Sequence, residues 1–224
     1  MKIYEFSNPK EQALALSQSI TRQINSLLKQ KPQVTLAVSG GKSPIGLFQE
    51  LSQSPIEWER VTITLVDERF IATDHPDSNE NLVRQHLLVN HAEKAHFISL
   101  VTTRNILTSV SNANLQVAQI DLAVLGMGED GHTASIFPDC PELSRAIDVK
   151  LTPERYVITT PAAANYQRIG LSLAGILEIP HLYLSISGAK KREVLSQAAS
   201  GITPNLPLSY VLHERNNLEI FFAC

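Results

Sequence analysis

Three apolar runs in this chain each stop abruptly in a cluster of small, hydroxyl and charged residues. Val34 to Val38 runs into Ser39-Gly40-Gly41-Lys42-Ser43-Pro44. Val61 to Val66 ends in Asp67-Glu68-Arg69. Ile120 to Leu125 ends in Gly126-Met127-Gly128-Glu129-Asp130-Gly131-His132. Short β-branched and aliphatic runs of this length read as strands buried on both faces. Between them lie stretches of helical character. Asn8 caps a helix with Pro9 in its first turn and Glu11 reaching back to the cap, and Leu16, Ile20, Ile24, Leu27 and Leu28 form its apolar stripe before Pro32. A second helix follows Ser43 as cap and Pro44 at its first position, a third runs from Ser78 to about Leu88, and a fourth covers Lys190 to Ala199 after Gly188. Further strands are expected at Ile3 to Phe6, Tyr156 to Thr160, Ile169 to Leu173, Leu182 to Ile186 and Leu218 to Ala223.

Strands alternating with helices predict an α/β fold: a layered, mainly parallel, Rossmann-like sheet flanked by helices. No repeat, low-complexity tract or linker divides the chain, so residues 1–224 are expected to form one α/β domain. In sheets of this kind ligands bind beyond the carboxyl ends of the strands. The three polar clusters fall at those ends, and this coincidence is the main argument for an active site.

Composition narrows the partners. The formal net charge of −3 gives no global attraction for nucleic acid or an anionic membrane, so the positive field for an anionic substrate must be built locally. Glu5 and Asn8 interrupt the N-terminal stretch before a signal-peptide core can form, and Glu178, Pro180 and His181 break the most apolar segment, Ile169 to Ile186. The two distant cysteines, Cys140 and Cys224, form no disulfide framework. A cytoplasmic location, no membrane partner and no nucleic-acid partner are expected.

The Ser39–Pro44 cluster joins a strand to a helix. Its glycines let the backbone approach a ligand, and the free N–H groups of the helix start suit a phosphate. It is not a nucleotide-binding P-loop, because Leu36 stands where that pattern needs its first glycine. Gly126-x-Gly128-x-x-Gly131 has the spacing of a dinucleotide fingerprint, but Glu129 and Asp130 would face a pyrophosphate, and Pro138 and Pro141 cut short the helix that such a unit requires. The segment reads better as a catalytic loop. His132 falls where a helix is predicted to begin, whose dipole would keep the ring neutral, with Asp130 beside it to orient it. Asp67-Glu68-Arg69 taken alone would be a surface ion pair. Facing the other two clusters it becomes a second wall, where Arg69 could bind an oxyanion or a phosphate. The seven histidines are scattered, with no H-E-x-x-H, and Ser39 and Ser43 lack the G-x-S-x-G setting of a nucleophile. Neither a metal, nor another cofactor, nor a covalent acyl-enzyme is expected.

The loop Gly126-Met127-Gly128-Glu129-Asp130-Gly131-His132-Thr133-Ala134-Ser135-Ile136-Phe137-Pro138 closely resembles the signature of the 6-phosphogluconolactonases. Ser39 to Pro44 resembles their phosphate loop, and Val66-Asp67-Glu68-Arg69 with Ser78-Asn79 resembles their second motif. Arg168-Ile169-Gly170-Leu171-Ser172 and Gly188-Ala189-Lys190-Lys191 resemble weaker third and fourth motifs. The resemblance extends on to Leu206-Pro207-Leu208-Ser209. Three departures stand out: Lys42 enlarges the charge of the phosphate loop, Gly170 occupies a position where Thr is common, and the usual Trp-x-x-Asp near the C-terminus is absent. The resemblance implies a fold shared with glucosamine-6-phosphate deaminase and ribose-5-phosphate isomerase. It also implies hydrolysis of 6-phospho-D-glucono-1,5-lactone in the pentose phosphate pathway; the oligomeric state, monomer or small homo-oligomer, is left open by the sequence. Carried over, His132 is the general base, and Asp130, Asp67 and Arg69 line the lactone. Ser39, Gly40, Gly41, Lys42, Ser43, Arg168 and Lys191 hold the phosphate. The deaminase signature has an acid just before its proline, whereas Phe137 stands there in this chain. A non-catalytic sugar-phosphate sensor would bring a DNA-binding module, for which the chain has no room.

Overall fold

A computed structural model describes residues 1–162 and 164–224. The elements follow in the order β1 (Lys2–Phe6), α1 (Pro9–Leu28), β2 (Val34–Val38), α2 (Ile45–Ser52), β3 (Val61–Leu65), β4 (Asp67–Arg69), α3 (Asn79–His86), β5 (His96–Phe97) and α4 (Ile106–Gln116). Then come β6 (Leu122–Leu125), α5 (Leu143–Ile147), β7 (Tyr156–Thr159), β8 (Arg168–Leu171), α6 (Leu173–Leu177), β9 (His181–Ser187), α7 (Ala189–Ser200), α8 (Leu208–Glu214) and β10 (Glu219–Ala223). Seven strands form one sheet in the order β1-β10-β9-β6-β2-β3-β5, and every pairing in it is parallel. The layered, mainly parallel α/β architecture expected from the alternation is the one observed.

The strand order reverses between β2 and β6. From β2 the chain builds outward through β3 and β5, and from β6 through β9 and β10. The connections therefore diverge at that pair and leave a crevice at the carboxyl ends of β2 and β6. Ser39 ties the two strands at this point: its hydroxyl donates to Val124 O at 2.9 Å and accepts from Gly126 N at 3.2 Å. The buried strands supply a continuous core, including Val34, Leu36, Val38, Ile63, Leu65, Leu122 and Val124. Against it α1 lays Leu16, Ile20, Ile24 and Leu28, the predicted stripe, with Leu27 half-buried beside them.

Local chemistry explains the helix starts. Asn8 Oδ1 accepts from Glu11 N at 3.0 Å, and the Glu11 carboxylate accepts from Ser7 N, one residue short of the capping-box position. Ser78 Oγ accepts from Asn81 N, so α3 begins where its cap predicts.

The structure corrects four expectations. Ser43 makes no capping bond. The cap position of α2 is Pro44, already helical at φ −80°, and the helix begins at Ile45. The Asp67-Glu68-Arg69 triplet does not end β3 but forms a strand of its own. This strand, β4, pairs antiparallel with β8, and β8 in turn with β7, in a separate three-stranded sheet. The segments at Tyr156 to Thr160 and Ile169 to Leu173 are therefore strands of this small sheet, not of the parallel one. The second of them ends at Leu171, because Ser172 caps α6. Lastly, no helix starts at His132: Gly131 has φ +76°, and Ala134 and Ser135 have φ +51° and +60°. Left-handed residues cannot continue a right-handed helix.

Candidate active site

Eight of the eleven residues singled out in the sequence line one polar cleft of about 270 Å³ at the carboxyl ends of β2 and β6: Ser39, Gly40, Gly41, Ser43, Asp67, Arg69, His132 and Lys191. Asp130 reaches the cleft only through His132. Lys42 is exposed and lies outside the wall, as does Arg168, which is buried. Asn79, Gly128, Ser135 and Ser185 also line the cleft, and the sequence pattern alone assigns none of them a role.

On the β6 side, Nδ1 of His132 lies 2.6 Å from Oδ1 of Asp130, which also accepts from the His132 backbone N–H at 3.2 Å. This contact favours the tautomer with its proton on Nδ1, leaving the Nε2 lone pair available as a base. Burial pushes the Asp130 carboxyl up, but hydrogen bonds and charge from His132 outweigh it, so the group sits below its ordinary value and stays ionised. The Phe137 ring packs against the imidazole with centroids 4.3 Å apart. Gly128 is a glycine for a definite reason. A Cβ there would stand 2.2 Å from His132 Nδ1 and 2.3 Å from Asp130 Oδ1, inside the space the pair occupies. The histidine is thus oriented by a carboxylate and a tight loop. The predicted helix dipole plays no part, because the helix is absent.

The β2 side supplies amide donors. Among the described residues, the backbone N–H groups of Gly40, Gly41, Lys42 and Ser43 donate to no protein acceptor. Lys191, near the start of α7, faces them across the cleft and makes no ion pair among the described residues. Free amides and an unpaired ammonium in a chain of net negative charge make a local anion receptor.

The third wall comes from the small sheet. Asp67 and Arg69 flank Glu68, whose side chain turns the other way and is 1% exposed. Its carboxylate accepts from Arg69 N (2.7 Å), Ser78 Oγ (2.9 Å), Asn79 N (2.8 Å) and Glu80 N (2.7 Å), anchoring β4 to the N-terminus of α3. Burial raises its pKa against the pull of these donors. Asn79 Nδ2 donates to Asp67 O at 2.7 Å, closing the same unit. Arg69 donates to Asp77 O and stands in register beside Arg168 of β8. Nε and Nη1 of Arg168 are buried without a partner among the described residues. Burial, then the neighbouring Arg69 charge, lowers its pKa. Two adjacent guanidiniums with so few acceptors add to the positive field behind this wall.

No group of three His, Cys, Asp or Glu side chains among the described residues could hold a metal ion. No helix among them is long and apolar enough to cross a membrane.

A parallel sheet with a histidine–carboxylate pair, free amides and a lysine around one polar cleft at its switch point is the framework of an α/β enzyme for a small anionic molecule. The family model for glucosamine-6-phosphate isomerases/6-phosphogluconolactonase matches residues 7–220, and the chain belongs to that family. A 6-phosphogluconolactonase of Neisseria meningitidis serogroup A is 40% identical, the match covering 98% of each chain. The crystal structure of a 6-phosphogluconolactonase from Shewanella baltica OS155 is 35% identical, with a TM-score of 0.94 over 100% of this chain and 98% of that one. A monomeric glucosamine-6-phosphate deaminase has the same fold, with a TM-score of 0.83 at 18% identity over 100% of this chain and 97% of that one.

Proposed function

We propose that this chain hydrolyses 6-phospho-D-glucono-1,5-lactone to 6-phospho-D-gluconate, the second step of the oxidative pentose phosphate pathway. The observation that carries this reading is the His132–Asp130 pair, oriented at 2.6 Å and set across one cleft from the free amides of Gly40 to Ser43 and from Lys191. His132 Nε2 takes a proton from water as the oxygen attacks C1 of the lactone. Asp130 fixes the tautomer and stabilises the imidazolium. The C1–O ring bond then breaks, and the ring oxygen leaves with the proton that His132 returns. Amides of the β2 loop, with Lys191 and the Arg168 charge behind, hold the phosphate and place the lactone against the base. Lys42, exposed outside the cleft, contributes its backbone amide there. Asp67 and Arg69 line the sugar.

No cofactor enters the reaction. The chain works in the cytoplasm as one α/β domain, as a monomer or small homo-oligomer, without nucleic-acid or membrane partners. The deciding experiment is a lactonase assay on freshly prepared 6-phosphogluconolactone with the uncatalysed rate subtracted. Enzyme-dependent hydrolysis is expected, and a rate equal to the uncatalysed one would refute the reading.

A further inference from the structure

A tight turn lies in the cleft wall, immediately after His132. Ile136 N donates to Thr133 O at 2.8 Å, and the two residues between, Ala134 and Ser135, both have positive φ. This is the combination of a type I′ turn, which ordinarily takes Asn-Gly. A left-handed conformation costs roughly 1–2 kcal/mol at each residue with a Cβ, so the surroundings must hold the turn in place. The Ser135 hydroxyl donates to Asp67 Oδ2 at 2.5 Å, and the Ser135 carbonyl accepts from Thr159 Oγ1 at 2.7 Å. The Ala134 carbonyl oxygen presses onto β8 at Gly170, where an added Cβ would meet it at 2.3 Å. A Thr at position 170 could not coexist with this turn. That gives a physical reason for glycine at the departure noted in the sequence.

All three anchors point at the small sheet. The Ala134–Ser135 peptide is trans, so its N–H is directed opposite to its carbonyl, away from Gly170, and both residues line the cleft. Among the described residues the Ser135 N–H donates to nothing, although the residue is only 2% exposed. An amide without a protein partner at a cleft wall is rare in a native fold and is satisfied by a ligand or by the water that the ligand displaces.

Resting on the lactonase reading, we propose that the Ser135 backbone amide is the donor that receives the oxyanion as water adds to C1. Its partner is the former carbonyl oxygen, which gains full negative charge in the tetrahedral intermediate and loses it when the C1–O ring bond breaks. A donor fixed by a strained turn, one strand-end from the base, is preorganised for that charge and needs no rearrangement. Arg69 then serves the sugar or the phosphate.

The amide can be removed without touching a protein hydrogen bond. Among the described residues no N–H donates to Ala134 O and Ser135 N has no acceptor, so an ester between residues 134 and 135 takes no bond from the described fold. Introducing the α-hydroxy acid counterpart of serine at position 135 should lower kcat by about 10²–10³. Affinity for 6-phosphogluconate, whose carboxylate is not the tetrahedral species, should change by no more than about threefold. Turnover near that of the parent enzyme, with product binding intact, would overturn the proposal while leaving the lactonase reading standing. An inactive parent enzyme would instead remove the reading itself. If the ester protein fails to bind product, Ser135→Gly and Ser135→Val decide. Both lose the Asp67 contact, but glycine keeps the left-handed turn and valine resists it. Turnover at least about tenfold lower in Ser135→Val than in Ser135→Gly supports the amide, and equal turnover in the two rejects it.

Discussion

In the proposed mechanism His132, Asp130 and Lys191 divide the work in ways that substitutions can separate. His132→Asn keeps the ring's volume approximately but removes the base, so kcat should fall by about 10²–10⁴ with 6-phosphogluconate still bound. Asp130→Asn should cost a comparable factor, because an amide no longer selects the tautomer that leaves Nε2 free. Normal turnover in either folded variant would remove that residue from the mechanism. Lys191 lines the cleft without an ion pair among the described residues and is assigned to the phosphate, so Lys191→Ala should raise KM more than it lowers kcat. The same change should do much less on unphosphorylated gluconolactone, which has no phosphate contact to lose. An equal loss on the two substrates would place Lys191 elsewhere. His132 and Asp130 were legible in the sequence because they follow an abrupt change from apolar to polar residues, whereas Lys191 was indicated only by the family resemblance. Gly128 and Ser135 were not legible. The first matters through space that a Cβ would fill, and the second through a φ that nothing in Ala-Ser announces.

Among the elements, β4 and α3 stand or fall together through Glu68. Glu68→Ala would leave three backbone amides and the Ser78 hydroxyl without their acceptor in a buried site, at a cost of roughly 3–5 kcal/mol. Urea unfolding should show that loss, together with a raised KM, since Asp67, Arg69 and Asn79 all hang on this joint. A loss below about 1 kcal/mol would show that the joint is not rigid. The pH dependence has a definite sign. Burial lifts the folded pKa above the ordinary value of 4.5, so the native state binds more protons than the unfolded chain in the window above that value. Glu68 therefore makes stability fall as pH rises through the window, and Glu68→Gln should lack that component of the slope. The triplet reads as a strand end in sequence because periodicity reports which residues are buried, not which strand they pair with. The antiparallel partner of Asp67–Arg69 lies about 100 residues on, at Arg168–Gly170, and three-residue strands carry too little pattern to announce it. The helices α4 and α8 escaped for a related reason: the Leu107 and Leu115 side chains of α4 face solvent and blur its apolar stripe, and α8 spans only seven residues. By contrast α1, with its Asn8 cap and full stripe, and the buried strands β2, β3 and β6 were readable because local and tertiary preferences agree there.

At the scale of the whole molecule, the cleft is where two sheets meet: amides after β2 and the histidine after β6 belong to the parallel sheet, while Asp67 and Arg69 belong to the small one. One hydrophobic cluster runs through both, joining Tyr156, Ile169 and Leu171 of the small sheet to Leu36, Ile63 and Val124 of the large one. A ligand gripped from both sheets should therefore stabilise the folded chain as a unit. At a hundredfold excess over its Kd, 6-phosphogluconate should add about 2.7 kcal/mol. For a chain of this size that is a rise in Tm of roughly 5–10 °C. Gluconate, which lacks the phosphate, should give a much smaller rise at the same concentration, and Lys191→Ala should reduce the difference between the two. Calorimetry tests the architecture in the same scan. If the shared core makes the sheets unfold together, one transition moves with product concentration. Two transitions, of which product moves only one, would show that the sheets are separate folding units and that the substrate is held by one of them.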